Sequence, residues 1–273
     1  MKRLLCVLLL GTLLTAQVYA SDRPRYVALT FDDGPSGRFT ARLLDGLAER
    51  EVHATFFLCG YRVELYAELA ARIATEGHEI GSHGDAHRFF TQLSPAEVCT
   101  DLRAAEAKIS EAAGQAPTLL RPPGGLYDMD VLRRAVDLPV ILWSVDPEDW
   151  NCFDSGVVTR RVVERTKSGD IILMHDLSDS SVDAALRIID TLEAQGFEFV
   201  TVSELAYLSG TELQGGTAYH RFSFSKNASI SARDARTDPC ANCGFPPPRP
   251  VSAAVKRRTV SRRSSVRAAR TYL

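Results

Sequence analysis

Short apolar runs alternate with helix-like stretches along most of this chain. Between residues 25 and 208 the runs are four to five residues long, and the stretches between them repeat apolar positions at helical spacing. The predicted strands are 26–30, 54–58, 78–81, 118–121, 139–143, 170–174 and 197–201. The predicted helices are 40–50, 63–76, 94–113, 128–136, 157–166 and 181–195. This alternation predicts an α/β fold built on a parallel sheet or barrel.

Unusual polar residues follow five of the predicted strands directly. The five clusters are Asp32–Asp33, His83–His87, Arg121–Gly125, Asp146–Trp150 and His175–Asp176. In a closed parallel barrel the carboxyl ends of the strands meet at one face, where active sites are built. The sequence therefore predicts one polar site assembled from five separate loops.

Two adjacent carboxylates end the first predicted strand. The run Tyr26–Leu29 is typical of a buried strand, and Asp32 and Asp33 follow it before a Gly-Pro turn. Buried neighbouring carboxylates repel one another and lose their hydration, which is costly unless a cation or a metal compensates. Side chains alternate along a strand, so the two aspartates can serve different purposes. A solvated acidic turn is the ordinary alternative for this motif taken alone.

Two histidines, His83 and His87, lie four residues apart. On a helical turn this spacing puts both imidazoles on one face, where they can bind one metal ion. A carboxylate from Asp32 or Asp33 would complete three protein ligands and leave an open position, the arrangement of a catalytic zinc. Asp85 is a less suitable ligand because, lying between the histidines, it should point away from their shared face. Two exposed or core histidines are the ordinary alternative.

Arg121 and the turn after it form the third cluster. Its guanidinium can hold and orient one of the two aspartates through a charge-assisted hydrogen bond, although a surface salt bridge is the alternative. The segment Pro122–Gly125 predicts a rigid turn with bare backbone. A backbone N–H in such a turn is suited to an oxyanion hole.

His175 ends an apolar predicted strand and can act as a general acid. Asp149 is a candidate to orient it and to raise its pKa. Trp150, next to Asp149, offers a flat apolar wall. A core histidine with its hydrogen bonds satisfied and a core tryptophan are the ordinary alternatives for these two rings.

The amino-terminal end of the chain has the composition of a signal peptide. Met1–Arg3 is basic, Leu4–Leu14 is apolar but short for a membrane span, and small residues precede the expected cleavage after Ala20. Residues 1–20 are therefore predicted to be a signal peptide, and the protein to be secreted or periplasmic. An uncleaved membrane anchor is the alternative.

Residues 236–273 form a basic tail. They carry nine lysines and arginines against Asp238 alone, whereas residues 21–235 hold 21 basic and 33 acidic residues. Three consecutive prolines and little hydrophobic periodicity predict that the tail is disordered. Its charge favours electrostatic contact with an anionic cell-wall polymer, a membrane surface or nucleic acid, and a solvated tail without a partner is an equal alternative. No specific protein partner is indicated.

Five cysteines remain after the predicted signal peptide. They are Cys59, Cys99, Cys152, Cys240 and Cys243. An exported chain permits disulfides, but an odd number leaves at least one thiol free or paired between molecules. The connectivity does not follow from the sequence.

Taken together, the five clusters resemble the motifs of the polysaccharide deacetylases of carbohydrate esterase family 4, the NodB-homology domain. The motifs occur in order over about residues 25–208: Thr-Phe-Asp-Asp-Gly at 30–34, His-x-x-x-His at 83–87, Arg-Pro-Pro-Gly-Gly at 121–125, Asp-Pro-Glu-Asp-Trp at 146–150 and Leu-Met-His at 173–175. Each motif is weak alone, and the five at this spacing are highly specific. The resemblance implies a catalytic domain at 21–235 with a distorted (β/α)7-type barrel of the glycoside hydrolase–deacetylase kind. It also implies a divalent metal cofactor, usually zinc.

The resemblance further implies a role for each motif residue. Asp32 would be the catalytic base, positioned by Arg121, and His175 would be the general acid, tuned by Asp149. The implied metal ligands are Asp33, His83 and His87. The implied acetyl-binding residues are Trp150 and Leu173, with the Gly124 N–H as oxyanion donor.

Two glycines depart from the family pattern. The family usually carries Ser or Thr directly after the first histidine, where this chain has Gly84, so a hydroxyl that would brace the metal loop is missing. Gly84→Ser is therefore expected to tighten metal binding, unless Gly84 needs a positive φ that serine adopts only with strain. An aromatic residue is usual at the position of Gly124, so the substrate groove is expected to be wider there.

The predicted function is hydrolysis of the N-acetyl group of a β-1,4-linked N-acetylglucosamine polymer, of the peptidoglycan or chitin type. One alternative is an O-acetyl esterase acting on xylan or another acetylated polysaccharide. A second is a non-catalytic carbohydrate-binding barrel, and a third is a wall- or nucleic-acid-binding protein acting through its basic tail.

Overall fold

The computed structural model describes residues 24–224. The predicted signal peptide at 1–20 and the predicted basic tail at 236–273 lie outside these residues, so the domain boundaries stay predictions. Cys240 and Cys243 also lie outside them.

Strands and helices alternate through most of the described part. The strands are β1 (Arg25–Asp32), β2 (Thr55–Leu58), β3 (Glu79–Ser82), β4 (Leu119–Leu120), β5 (Val140–Ile141), β6 (Ile171–His175), β7 (Phe197–Phe199) and β8 (Ala218–Tyr219). The helices are α1 (Gly37–Glu49), α2 (Gly60–Leu65), α3 (Ala67–Thr75), α4 (Pro95–Ala113), α5 (Met129–Ala135), α6 (Ser155–Val163), α7 (Asp179–Ala194) and α8 (Val202–Ser209). Short 3-10 turns lie at Phe90–Gln92, Pro123–Gly125 and Asp149–Asn151.

Every predicted strand and helix is present, with three differences. The predicted helix 63–76 is two helices, because Tyr66 between them has a non-helical backbone with φ −136° and ψ 48°. The sequence analysis does not predict α8 or β8. A capping box does mark the start of α8, since Thr201 and Glu204 cap one another.

The strands form one curled parallel sheet. Their order is β6-β1-β2-β3-β4-β5-β8, and β7 pairs with the first residues of β1. The segment after β5 reaches β6, since the Leu173 N–H donates to the Val145 carbonyl over 2.9 Å. The sheet therefore curls round on itself, which confirms the predicted parallel α/β barrel.

Strand β1 shows how the barrel aims its side chains. Val27, Leu29 and Phe31 pack in the large apolar cluster shared with the surrounding helices. The intervening side chains Thr30 and Asp32 point the other way, into the lumen, where both contact Arg121. The alternation thus carries Asp32 to the carboxyl end of the lumen.

Helix α8 covers the opposite, amino-terminal end of the strands. Its Val202 N–H donates to the Thr55 hydroxyl over 3.0 Å, and its Ser203 N–H donates to the Glu79 carboxylate over 3.1 Å. Thr55 and Glu79 are the first residues of β2 and β3. Helix α8 therefore closes the lumen at its amino-terminal end. Among the described residues no helix has the length and apolarity needed to span a bilayer.

Candidate active site

The polar residues that follow the strands meet at the carboxyl face. Asp32 and His175 end neighbouring parallel strands and are register partners, β1 with β6. Arg121 follows β4 and bonds to Asp32, whereas Asp149 follows β5 and bonds to His175. The structure thus brings all five loops of the sequence analysis to one face.

Asp33, His83 and His87 converge on a single point. The Asp33 Oδ1 atom lies 3.3 Å from His83 Nε2 and 3.0 Å from His87 Nε2. One candidate ligand atom from each of the three residues lies within 4.8 Å of the other two. Two nitrogens and one carboxylate oxygen at this spacing are a donor set that zinc and related divalent ions bind.

The hydrogen bonding of His83 fixes which nitrogen faces that point. His83 Nδ1 lies 2.7 Å from the Arg121 carbonyl oxygen, which can only accept, so Nδ1 carries the proton. In the neutral imidazole Nε2 then presents a lone pair toward Asp33 Oδ1. That oxygen is itself buried and accepts no well-aligned hydrogen bond from the described residues. The lone pairs of His83 Nε2 and Asp33 Oδ1 therefore face one another, an arrangement that suits a cation bound between them.

Asp33 and His87 shift the pKa values of one another. The Asp33 carboxylate raises the pKa of His87, and burial opposes this only in part. Burial would raise the pKa of Asp33, but the two imidazoles outweigh it and hold that pKa well below its usual range. An imidazole binds a metal ion only when the ligating nitrogen is unprotonated, so metal affinity should fall at acidic pH.

The loop His83–His87 is not the helical turn that the four-residue spacing of the two histidines predicts. Gly84 has φ +76° and His87 has φ +51°, and these left-handed residues turn the loop so that the two rings meet. Asp33 is left-handed as well, with φ +70°. Two of the three candidate ligands therefore sit in backbone conformations that non-glycine residues adopt at a cost, a frequent sign of a functional constraint. Asp85 turns away to Lys108, with 2.9 Å between Oδ1 and Nζ.

Arg121 is fully buried and fills the lumen beneath the site. Its guanidinium donates to Asp32 Oδ1 over 2.7 Å and to the Thr30 hydroxyl over 2.8 Å. Two further bonds reach the carbonyls of Ile141 and Leu142, and the Phe57 ring lies 4.0 Å from the guanidinium carbon. These contacts satisfy the buried charge and fix the Asp32 carboxylate, a charge-assisted pair of short length.

His175 and Asp149 form a second charged pair. The ring Nδ1 lies 2.8 Å from Asp149 Oδ1, and the His175 backbone N–H donates to Oδ2 over 2.9 Å. Burial alone would lower the pKa of His175, but the bond to Asp149 and the charge of that carboxylate raise it to about 9. The imidazole is therefore protonated at neutral pH, with Nε2–H left to face the site.

The three residues expected to bind the acetyl group differ in exposure. Leu173 is buried and faces the lumen, because it lies two residues before His175 on β6. Trp150 is 59% exposed beside Asp149. Gly124 lies in a 3-10 turn with φ +64°, and within residues 24–224 its N–H donates to no backbone carbonyl.

Both glycine departures behave differently from the sequence expectation. A Cβ at Gly124 would lie 2.9 Å from Phe89 Cε1, so the ring of Phe89 already occupies the space that was expected to be open. A Cβ at Gly84 would lie 2.8 Å from Asp101 Oδ1 at a positive φ, so Gly84→Ser is now expected to weaken metal binding. Sequence reasoning missed Phe89 and Asp101; the aromatic pair Phe89–Phe90 just after the second motif was the available signal.

Asp176 packs behind the turn that follows Asp32 and Asp33. Its carboxylate accepts from the Thr40 hydroxyl and its carbonyl accepts from the Ser36 hydroxyl. Burial raises the pKa of Asp176 to about 6, against the opposing hydrogen bond from Thr40. A Cβ on Gly34 would lie 2.7 Å from this carboxylate, so Asp176 packs tightly on the turn that follows the two aspartates.

Three cysteines of the described part are free thiols: Cys59, Cys99 and Cys152. Cys59 is buried beside the loop His83–His87, and burial raises the pKa of its thiol. It is therefore a neutral, unreactive packing group there.

The motif geometry has counterparts in known proteins. The profile of the family described as Polysaccharide deacetylase matches residues 20–142. A peptidoglycan-N-acetylglucosamine deacetylase of Bacillus cereus is 37% identical over 191 residues, which are 67% of this chain and 89% of that protein. The chain belongs to the polysaccharide deacetylase family. This confirms the family indicated by the five motifs.

Two other members of the family are also similar to this chain. The peptidoglycan-N-acetylmuramic acid deacetylase PdaC of Bacillus subtilis is 42% identical over 182 residues, but this chain covers only 38% of that protein. The solved family 4 acetyl xylan esterase of Clostridium thermocellum, in complex with a cobalt ion, has a TM-score of 0.68 and 33% identity. That alignment covers 72% of this chain and 98% of the esterase. It confirms the predicted distorted (β/α)7-type barrel.

The Asp149 contact predicts a measurable change in the His175 pKa. In Asp149→Asn the charge is lost and the burial remains, so the pKa should fall by at least about one unit, equivalent to about 1.4 kcal/mol. NMR titration of the His175 ring in both proteins measures this directly. His78, a buried histidine at the amino end of β3 with its pKa lowered by burial to about 4, serves as the internal control. An unchanged His175 pKa would contradict the assignment.

Proposed function

We propose that this chain is a secreted, metal-dependent deacetylase that hydrolyses the N-acetyl group of β-1,4-linked N-acetylglucosamine residues, in peptidoglycan or chitin. One observation carries the proposal. A carboxylate held by a buried arginine and an imidazole held protonated by a buried aspartate end neighbouring strands β1 and β6, beside the Asp33, His83 and His87 donor set. A base, an acid and a place for an electrophilic ion are the parts that amide hydrolysis requires.

The donor set of Asp33, His83 and His87 would hold the divalent ion, for which zinc is the expected identity. A bound ion of this kind polarises a carbonyl oxygen and lowers the pKa of water, which makes water a nucleophile at neutral pH. Within residues 24–224 only Asp33, His83 and His87 form such a donor set, so a bound ion would keep a coordination position open for water or for the acetyl oxygen.

Asp32 is the proposed general base. Arg121 bonds to Oδ1 over 2.7 Å and leaves Oδ2 on the side of the His83 ring, 3.8 Å from Nε2. The free oxygen can accept the proton of the attacking water as the carbon–oxygen bond forms. Arg121 limits the rotation of the carboxylate, because it is fully buried and makes three further hydrogen bonds.

The Gly124 N–H is the proposed donor to the developing oxyanion. It is free of backbone partners in the described residues, and it sits on a turn whose two prolines limit movement. A preorganised backbone donor of this kind stabilises the tetrahedral species more than the planar acetyl group. Leu173 and Trp150 would provide the apolar surroundings of the acetyl methyl group.

His175 is the proposed general acid. Asp149 keeps the ring charged at neutral pH, so a proton is available when the carbon–nitrogen bond breaks. An amide nitrogen is a poor leaving group unless it is protonated, and this favours the amide over the ester substrate. The O-acetyl ester of xylan or a related polysaccharide is the second candidate, because the same parts would cleave it.

The exposed aromatic side chains at the carboxyl face support a sugar polymer as the substrate. Phe89 is 38% exposed against Gly124, and Trp150 is more exposed still. Flat apolar rings beside the site suit the apolar faces of pyranose rings. The basic tail at 236–273 would add electrostatic attraction to an anionic wall or membrane surface.

The substrate is tested by acetate release from a panel. Purified residues 21–273 loaded with zinc are expected to release acetate from chitooligosaccharides or peptidoglycan faster than from acetylated xylan. Exhaustive chelation should abolish release, and added zinc should restore it. Preference for acetylated xylan would favour the esterase alternative, and no release from any of the three would support the non-catalytic alternative.

Asp32→Asn tests the assignment of the base. The turnover number at saturating zinc should fall by about 100-fold or more, the usual worth of a general base. Asparagine keeps the shape and one bond to Arg121, so the fold should be retained, which circular dichroism can check. Turnover within a few-fold of the wild type would show that the two aspartates have been assigned the wrong roles.

A further inference from the structure

The backbone between the two histidines is tied down by two helices. On one side, the Gly84 and Asp85 carbonyls accept the first N–H groups of α2, from Gly60 and Tyr61, each over 3.0 Å. On the other side, the N–H groups of Asp85 and Ala86 donate to a single carboxylate, Asp101 on α4. The segment 84–86, named here the metal loop, therefore has partners on both sides.

The carboxylate of Asp101 is placed for this contact. Asp101 is only 4% exposed, and its Oδ1 accepts the Asp85 N–H over 2.7 Å while Oδ2 accepts the Ala86 N–H over 3.4 Å. A charged acceptor forms stronger bonds to backbone N–H groups than a neutral one. Arg88, half exposed, lies 3.5 Å from Oδ2 and balances the charge from the solvent side.

Helix α4 gives this carboxylate a rigid support. The helix runs for 19 residues, begins with the Ser94–Glu97 capping box, and buries Val98 and Leu102 on the same side as Asp101. Movement of Asp101 would require movement of this packed helix. Helix α4 thus fixes the position of the metal loop in the barrel, through bonds from Asp101 to the loop backbone.

Gly84 and Asp101 occupy complementary space. A Cβ on Gly84 would lie 2.8 Å from Asp101 Oδ1 and 3.3 Å from the Phe90 ring. Glycine at 84 therefore lets the carboxylate approach the loop closely. Because glycine has no Cβ, it also adopts the positive φ of +76° without strain. The acidic group from the helix stands where a side chain of the loop would otherwise be.

We propose that Asp101 is a positioning residue for metal binding: it holds the metal loop so that His83 and His87 both reach Asp33. The proposal rests on the metal site of the proposed function. Partners of this kind, which hold the ligands without touching the ion, typically change metal affinity by about 10- to 100-fold when they are removed.

The test is the zinc dissociation constant, measured by competition with a chromophoric chelator at fixed pH. Asp101→Asn keeps the shape but loses the charge and sets an amide N–H against a backbone N–H, so the constant should rise about tenfold. Asp101→Ala should raise it by about 10- to 100-fold. Arg88→Ala leaves both backbone bonds in place and should stay within about twofold.

Asp170→Asn is the matched control for general damage. Asp170 is also a buried aspartate that accepts a backbone N–H, from Lys167 over 2.7 Å, and pairs with an arginine, Arg221, over 3.0 Å. It lies at the amino end of β6, away from the metal loop. Asp170→Asn should lower the thermal midpoint of unfolding about as much as Asp101→Asn does, and it should leave the zinc dissociation constant unchanged.

A double substitution tests the complementarity of Gly84 and Asp101. Gly84→Ser should weaken zinc binding in the natural background, and its penalty should shrink in the Asp101→Ala background, where the carboxylate no longer meets the new Cβ. Folded Asp101→Asn and Asp101→Ala proteins that bind zinc like the wild type would overturn the proposal. A wild-type protein without measurable zinc affinity would instead overturn the proposed function on which it rests.

Discussion

The site depends on the hydrogen bonds made by the buried guanidinium of Arg121. A buried charge is tolerated only where it is hydrogen-bonded, and here the guanidinium donates to Asp32, to Thr30 and to the backbone carbonyls of Ile141 and Leu142. The same residue accepts a hydrogen bond from His83 through its backbone carbonyl. One residue thus orients the proposed base and also sets the tautomer of a proposed metal ligand. Removing such a partner from a buried pair typically costs about 3–5 kcal/mol, so stability and chemistry are linked at this position.

The division of work between Asp32 and Asp33 follows from backbone geometry. Asp32 is the last residue of β1 and points into the lumen with Thr30, where Arg121 meets it. Asp33 leaves the strand with φ +70° and turns its carboxylate toward the two imidazoles. Neighbouring acids with different directions meet different partners, and this relieves the repulsion that makes the pair unfavourable in isolation.

Sequence reasoning could predict seven of the eight described strands, most helices and the convergence of five loops, because each depends on local patterns and on the geometry of parallel barrels. It could not predict the path of the loop His83–His87. The spacing of four is equally compatible with a helical turn, and the left-handed residues that replace it are not visible in a periodicity. The break at Tyr66 within a continuous helical pattern was missed for the same reason.

Contacts between distant residues were also beyond the sequence. Phe89 fills the space beside Gly124, and Asp101 fills the space beside Gly84, each from a different element of the chain. Considered alone, each glycine indicated a missing group and a looser site. The fold shows that a neighbouring element supplies the volume, so the effect of a departure from a motif depends on what packs against it.

The central claim is that Asp33, His83 and His87 hold one metal ion and that Asp32 stands outside the coordination sphere. Metal content per chain, measured by mass spectrometry after dialysis against a zinc buffer, tests it most directly. The wild type and Asp32→Asn should each retain about one equivalent of zinc, whereas Asp33→Ala should retain almost none. Equal retention by Asp33→Ala, or an equal loss in Asp32→Asn, would contradict the account.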